Sequence, residues 1–319
     1  MRKGKIGTIL LAVFTALIVG LTIFVCFNYH LAKDFIRSFS YEPTPLVSDL
    51  ESRLKMTSRG DLIFKASSPM LEEASVFSSH CPSYNPGISV LGCYNNDVIY
   101  IYKVEAKELD GVIESTAAHE MLHAVWSRYN DADKSRLSPL LEEVYNQNKT
   151  TLAVIDTYED SSRSDELFAR IGTEIRNIPD ELESAYAAFF TNRTNLVGYY
   201  EKYHGVFDQL ANRIKTLSEE IDGLGKSIEA KTADYTTRSS ALTAAVQEFN
   251  ECANTSGCFT SADFVSSRAE LTAEQNSLRG LYDEINAEVN DYNAKIAEYN
   301  QNALKTDYYN NMINSNVKE

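Results

Sequence analysis

Glycine and proline are scarce in this 319-residue chain, with 14 and 7 residues respectively. Because these residues form most tight turns, their scarcity argues against an all-β fold of many short strands and favours long helices. Positive charge is also limited, since 30 lysines and arginines oppose 45 aspartates and glutamates, a net charge of −15. No local basic stripe offsets this excess, and we therefore expect no nucleic-acid partner.

Charged residues are missing from residues 6–27, and most of these 22 positions are apolar. A helix of that length covers the roughly 30 Å of hydrocarbon in a bilayer. The basic residues Arg2, Lys3 and Lys5 precede the segment and place the N-terminus in the cytoplasm. We therefore expect residues 1–29 to form a basic N-terminus and membrane anchor of a single-pass cell-membrane protein. The rest of the chain would be extracellular or periplasmic, and a cleaved signal peptide is the alternative.

Cysteine is rare, and only Cys26 lies within the expected membrane span. The other four cysteines form two close pairs, Cys81 with Cys93 and Cys252 with Cys258. In an oxidising compartment these local pairings are the simplest disulfides. Four buried thiols or a metal site are the alternatives, although no C-x-x-C spacing favours zinc.

Residues 30–203 have the pattern of a mixed domain of helices and strands. Residues 89–94 and 98–104 are rich in β-branched and aromatic side chains, and the polar residues between them predict a β-hairpin. Residues 62–66 form a short apolar run, and residues 69–77 fit a helix with proline in its first turn. We expect a fold of the α+β class.

The pattern changes over residues 204–304. Apolar residues recur at spacings of three and four in two runs, 210–249 and 271–299, on either side of a polar loop bounded by cysteines. This predicts a long antiparallel coiled-coil hairpin with a disulfide at its tip. We expect it to be a spacer or an arm that binds a protein partner or a second copy, followed by a flexible tail over 305–319.

The sequence His119-Glu120-Met121-Leu122-His123 lies in a stretch of helix-forming residues without glycine or proline. One helical turn separates the two histidines, so both imidazoles can reach one Zn²⁺. Glu120 can act as general base toward a water at the metal without becoming a ligand. Because the chain has only five histidines, chance is a poor explanation of this H-E-x-x-H spacing.

This stretch resembles the active-site helix of zincin metallopeptidases. The metzincin subfamily would require glycine and histidine where Trp126 and Tyr129 stand, so that subfamily is excluded. Glu166 lies in a Glu-x-x-Ala-x-x-Gly context similar to the third-ligand helix of integral-membrane gluzincins. The resemblance therefore implies Glu166 as the third zinc ligand, although that family often has aspartate where Arg170 stands.

Other third ligands remain open. Glu174 lies two helical turns after Glu166 and is the runner-up, either as a ligand or as a carboxylate that orients a histidine. Asp165 and Glu183 are further alternatives, as is a site with no third protein ligand.

Two features of the substrate site are also predicted. Tyr186 or Arg170 is expected to donate a hydrogen bond to the tetrahedral intermediate, with Tyr158 and His204 as alternatives. In zincins, a strand next to the active-site helix pairs with the extended substrate, and residues 98–104 are the expected strand.

These expectations combine into a membrane-anchored, gluzincin-like zinc endopeptidase that acts on a peptide or protein substrate. One Zn²⁺ would be held by His119, His123 and Glu166, with Glu120 as general base. The fold would comprise one transmembrane helix, a zincin-like α+β domain and the coiled-coil hairpin. A surface interaction protein with a degenerate zincin scaffold is one alternative, and a metal-dependent hydrolase of a non-peptide bond is another.

Overall fold

The computed structural model describes residues 12–20, 22, 29–82 and 90–315. The chain divides into two compact units, the first made of Met1–Val206 with Tyr309–Glu319 and the second of Phe207–Tyr308. In chain order, the helices and strands are α1 (Tyr29–Ser40), α2 (Pro45–Leu54), α3 (Ser58–Ala66), β1 (Met70–Glu72), α4 (Ala74–His80), β2 (Gly92–Asn95), β3 (Val98–Tyr102), α5 (Val112–Arg128), α6 (Asp131–Gln147), α7 (Asp160–Glu174), α8 (Asp180–Ala187), α9 (Arg193–Ala253) and α10 (Ser261–Met312).

The predicted α+β class is wrong, because helices account for 78% of the described residues and the sheet has three strands. Each strand is only three to five residues long. The apolar run 62–66 belongs to helix α3, which begins where the Thr57 hydroxyl accepts a hydrogen bond from the Gly60 amide. Residues 69–77, expected as one helix, divide into β1 and α4 because residues 70–72 pair with β3.

The prediction of a transmembrane helix over residues 6–27, and of a single-pass cell-membrane protein, is also wrong. Among the described residues, no helix combines the length and the apolar character that a bilayer crossing requires. Within the segment, residues 12–20 are helical, and nine residues extend only about 14 Å. Residues 6–11, 21 and 23–28 lie outside the described residues.

The β-hairpin is present, with Asn96 and Asp97 as its two-residue turn. Both turn residues have positive φ, 52° and 61°, as a type I′ turn requires. The sheet order is β1-β3-β2, so β3 pairs with β1 in parallel and with β2 in antiparallel orientation. Since both edges of β3 are occupied, the expectation that residues 98–104 bind the substrate is wrong. Strand β2 has β3 on one side and no second strand among the described residues on its other side.

Helix α5 is the central element of the first unit. It contacts α2, α3, α7 and both strands of the hairpin, and eleven of its 17 residues are buried. Small side chains such as Ala117 and Ala118 are fully buried and permit this close packing. Helix α7 packs tightly at Gly172, where a Cβ would lie 2.4 Å from Leu122 Cδ1 and 2.7 Å from Tyr186 Cε1.

The second unit consists of antiparallel segments of α9 and α10. Their ion pairs define the direction, because Arg213 binds Glu298 while the later residue Arg238 binds the earlier residue Glu274. At the turn, the Cys252–Cys258 disulfide closes the polar loop.

Both predicted disulfides are confirmed, the other being the Cys81–Cys93 bridge of the first unit. Residues 305–312, expected to belong to a flexible tail, instead continue helix α10, and Ser315 donates a hydrogen bond to the Val90 carbonyl. Residues 316–319 lie outside the described residues.

Replacing Gly172 with alanine is expected to lower the free energy of unfolding of the first unit by about 1–3 kcal/mol, because the new methyl group overpacks Leu122 and Tyr186. The chain has one tryptophan, Trp126 on α5, so fluorescence during urea denaturation reports on this unit. The matched control is Gly198→Ala, where a Cβ meets nothing within 4 Å and stability should rise by about 0.5–1 kcal/mol. Equal effects of both substitutions would contradict the close packing.

Candidate metal centre

Helix α5 presents His119 and His123 on one face, one turn apart. Their Nε2 atoms are 3.1 Å apart, and the imidazole centroids are 4.8 Å apart. Each side chain is 17% exposed, so the rings are mostly withdrawn from solvent. The helix thus directs both Nε2 atoms toward a single point.

Helix α7 brings Glu166 to the same point. Its Oε1 lies 3.8 Å from His119 Nε2, and its Oε2 lies 3.4 Å from His123 Nε2. One ligand atom from each of the three residues lies within 4.8 Å of the others. Two imidazoles and one carboxylate, with a further position for water or substrate, form a known ligand set of catalytic zinc. The donor set therefore fits zinc.

A second carboxylate orients one of the histidines. Asp165 Oδ1 lies 2.8 Å from His123 Nδ1, and this contact directs Nε2 of the same ring toward Glu166. Burial alone would lower the pKa of His123, but its hydrogen bonds to Asp165 and Glu166 raise that pKa well above its usual value. Asp165, considered as a ligand from the sequence, is instead a partner of a histidine.

The charge states of the other two cluster residues differ from that of His123. Burial lowers the pKa of His119 to about 3, so this imidazole is neutral at physiological pH and has a lone pair available. Burial would raise the pKa of Glu166, but its hydrogen bond with His123 and the charge of Arg170 hold the pKa below its usual value. The Glu166 carboxylate is therefore ionised, as a metal ligand must be.

Glu120 follows the first histidine and is 5% exposed. Burial raises the pKa of Glu120 to about 7. Strand β2 passes so close that a Cβ on Gly92 would lie 2.8 Å from Glu120 Oε1 and 2.6 Å from Thr116 Cγ2. Gly92 therefore allows the strand to approach the carboxylate. Sequence reasoning missed this residue, although glycine within a strand can mark the close approach of another group.

Arg170 lies beside Glu166 and is engaged by two carboxylates. Its Nε donates to Glu166 Oε1 at 2.6 Å, and its Nη1 donates to Glu174 Oε1 at 2.8 Å. Burial raises the pKa of Glu174 to about 7. The structure therefore places Glu174 next to Arg170 rather than within the ligand cluster.

Three other predicted residues do not line the cleft at the cluster. Tyr186 is fully buried, and its hydroxyl donates to the Phe168 carbonyl at 2.8 Å, so the structure places it in the core rather than at the cluster. Glu183 forms an ion pair with Arg193. His204 stacks on Tyr200 with centroids 5.0 Å apart.

A cleft of about 490 Å³ opens onto the cluster. Residues of β2, α5, α7 and α9 line it together with the segments just before β2 and α7: Val90, Leu91, Gly92, Cys93, Tyr94, Ser115, Thr116, His119, Glu120, His123, Tyr158, Ser162, Asp165, Glu166, Arg170, Thr173, Glu174 and Tyr203. Burial raises the pKa of Tyr158 and of Tyr203 above its usual value. Both phenols are thus protonated and can donate hydrogen bonds at neutral pH.

Comparisons of the chain with protein-family models, with curated proteins and with solved structures give no match. The function of the cluster must therefore be inferred from its own geometry and chemistry.

Zinc binding is expected to strengthen as the pH rises through neutrality and to release protons. Because its pKa is raised, His123 carries a proton at neutral pH, whereas a zinc ligand must be a neutral imidazole. Zinc titrations at several pH values, with calorimetry in buffers of different ionisation enthalpy, measure both effects. Zinc affinity that is independent of pH, without proton release, would contradict His123 as a ligand.

Proposed function

We propose that the protein is a zinc-dependent metallopeptidase that hydrolyses peptide bonds. One observation carries the proposal: His119, His123 and Glu166 converge within 4.8 Å, and the Glu120 carboxylate lies on the same helix beside the first histidine. This combination supplies both a ligand set for catalytic zinc and a separate group that can exchange protons. A structural zinc site would not need the second group.

Each residue of the cluster would have a separate role at the metal. His119, His123 and Glu166 would hold one Zn²⁺, and Asp165 orients His123 through its Nδ1. When bound, zinc supplies a Lewis acid for the scissile carbonyl and for the attacking water. Glu166 contributes one negative charge, which offsets part of the charge of the cation.

Glu120 would move the proton. The pKa of Glu120 is about 7. At physiological pH, a group with a pKa near this value is effective both as a general base and as a general acid. Glu120 takes a proton from the attacking water on a carboxylate oxygen and then gives it to the amine nitrogen that leaves. Its 5% exposure keeps bulk water from competing for that proton.

Strand β2 would align the substrate. The Tyr102 amide donates to the Leu91 carbonyl, so this pair is hydrogen-bonded and the next pair, Gly92 with Ile101, is not. The N–H and C=O of Gly92 consequently point away from β3. An extended peptide can pair with that edge and carry its scissile bond past Glu120, which lies against Gly92.

Tyr158 would stabilise the tetrahedral intermediate in place of Tyr186. It lines the cleft and is 37% exposed. Its phenol interacts with both Glu166 and Arg170, which puts the hydroxyl beside the ligand cluster. A protonated hydroxyl at this position can donate to the oxyanion that forms from the scissile carbonyl.

Replacing Glu120 with glutamine is expected to leave zinc bound and to reduce peptide hydrolysis by about 10²–10⁴-fold, because the amide cannot accept the proton. The measurement combines zinc content with mass-spectrometric mapping of a peptide library incubated with the full-length protein. Glu114→Gln is the matched control, since Glu114 is also buried on α5 but pairs with Arg53 and does not line the cleft.

Hydrolysis by the Glu120→Gln variant at the wild-type rate would contradict the proposed mechanism. Wild-type protein without bound zinc would favour the alternative of an interaction protein with a degenerate scaffold. Bound zinc with hydrolysis only of non-peptide substrates would favour the other alternative.

A further inference from the structure

Three charged residues form a ladder on one face of α7. Glu166, Arg170 and Glu174 are spaced by four, which places them above one another on consecutive turns. Arg170 joins the two carboxylates through separate nitrogen atoms, at 2.6 Å from Glu166 and 2.8 Å from Glu174. The side chains of Glu166 and Glu174 are each 7% exposed, and that of Arg170 is 23% exposed.

Such a ladder is a costly way to stabilise a helix. Removing charges from water carries a penalty that buried ion pairs often fail to recover, and well-packed apolar residues would serve as well. The ladder also lies in the cleft wall, where all three residues line the cavity. A role at the metal centre accounts for its position better than a role in stability.

The guanidinium binds only one of the two oxygens of Glu166. Arg170 Nε occupies Oε1, while Oε2 is the oxygen nearer His123, 3.4 Å from its Nε2. The planar guanidinium donates in fixed directions, so the angle of the Glu166 carboxylate is set together with that of Arg170. Glu174 in turn anchors the far side of the guanidinium and prevents it from rotating away.

We propose that Arg170 and Glu174 are positioning residues that hold Glu166 with a single oxygen presented to the metal. The role rests on the proposed zinc site, but it concerns the orientation of one ligand rather than the hydrolysis itself. Without the ladder, the Glu166 carboxylate can turn to offer both oxygens or swing away from the histidines.

The test compares three variants of the full-length protein. Arg170→Lys keeps the charge but loses the second directed donor, and Glu174→Gln keeps an acceptor but loses the charge of the anchor. Arg163→Lys is the matched control, because Arg163 is also on α7 and binds Glu142 at 2.7 Å but does not line the cleft. Zinc affinity is measured by competition with a chromophoric chelator, and the Co²⁺-loaded proteins are compared by visible absorption.

Arg170→Lys is expected to weaken zinc binding by about 10–100-fold, the range for groups that orient a metal ligand. Glu174→Gln should also weaken zinc binding, but by a smaller factor. Arg170→Lys and Glu174→Gln should both change the Co²⁺ spectrum, because the coordination of Glu166 changes. Arg163→Lys should match the wild type in affinity and spectrum. If Arg170→Lys loses the helical circular dichroism of the wild type, this variant is unfolded, and the zinc affinity and Co²⁺ spectrum of Glu174→Gln test the positioning role instead.

Wild-type zinc affinity and an unchanged Co²⁺ spectrum in the folded ladder variants would overturn the positioning role alone. Loss of hydrolysis with both of these readouts unchanged would also overturn it, because the ladder would then act on the substrate. Wild-type protein that binds no zinc would overturn the proposed function and this role with it. Zinc binding without peptide hydrolysis would overturn only the peptidase proposal.

Discussion

The close packing of α7 against α5 is the constraint on which the proposed metal centre depends. The two histidines are brought together by the helical repeat of α5 alone, but the third ligand must come from another element. Gly172 permits that approach, because any side chain there would meet Leu122 and Tyr186. Glu166 lies less than two turns earlier on the same helix and is carried to within 3.4–3.8 Å of the imidazole nitrogens.

Burial then determines the charge of each group. The same withdrawal from water lowers the pKa of His119 to about 3 and raises that of Glu120 to about 7. Specific partners oppose burial at His123 and Glu166, which are held as a charge pair by Asp165 and Arg170. The cluster thus contains neutral, cationic and anionic members within a few ångströms. A divalent cation can replace the proton on His123 and balance the carboxylates around it.

Features that depend on neighbours in the chain could be predicted from the sequence. The helix bearing H-E-x-x-H, the hairpin turn at Asn96 and Asp97, and the two short-range disulfides are all encoded within a few residues. Features that depend on packing between distant parts of the chain could not be predicted from the sequence. Tyr186 is expected from the sequence to contact the tetrahedral intermediate, yet its buried hydroxyl donates a hydrogen bond to the Phe168 carbonyl in the core. The order of the strands could not be predicted either. Strand β1 pairs with β3, but the sequence pattern of its residues predicts part of a helix.

X-ray absorption at the zinc edge, on full-length protein loaded with one equivalent of zinc, tests the central claim most directly. The structure predicts the scattering of two imidazole rings together with oxygen donors, at distances of about 2.0–2.2 Å. A spectrum with sulfur at about 2.3 Å, or without the outer scattering of imidazole, would contradict zinc binding by His119, His123 and Glu166.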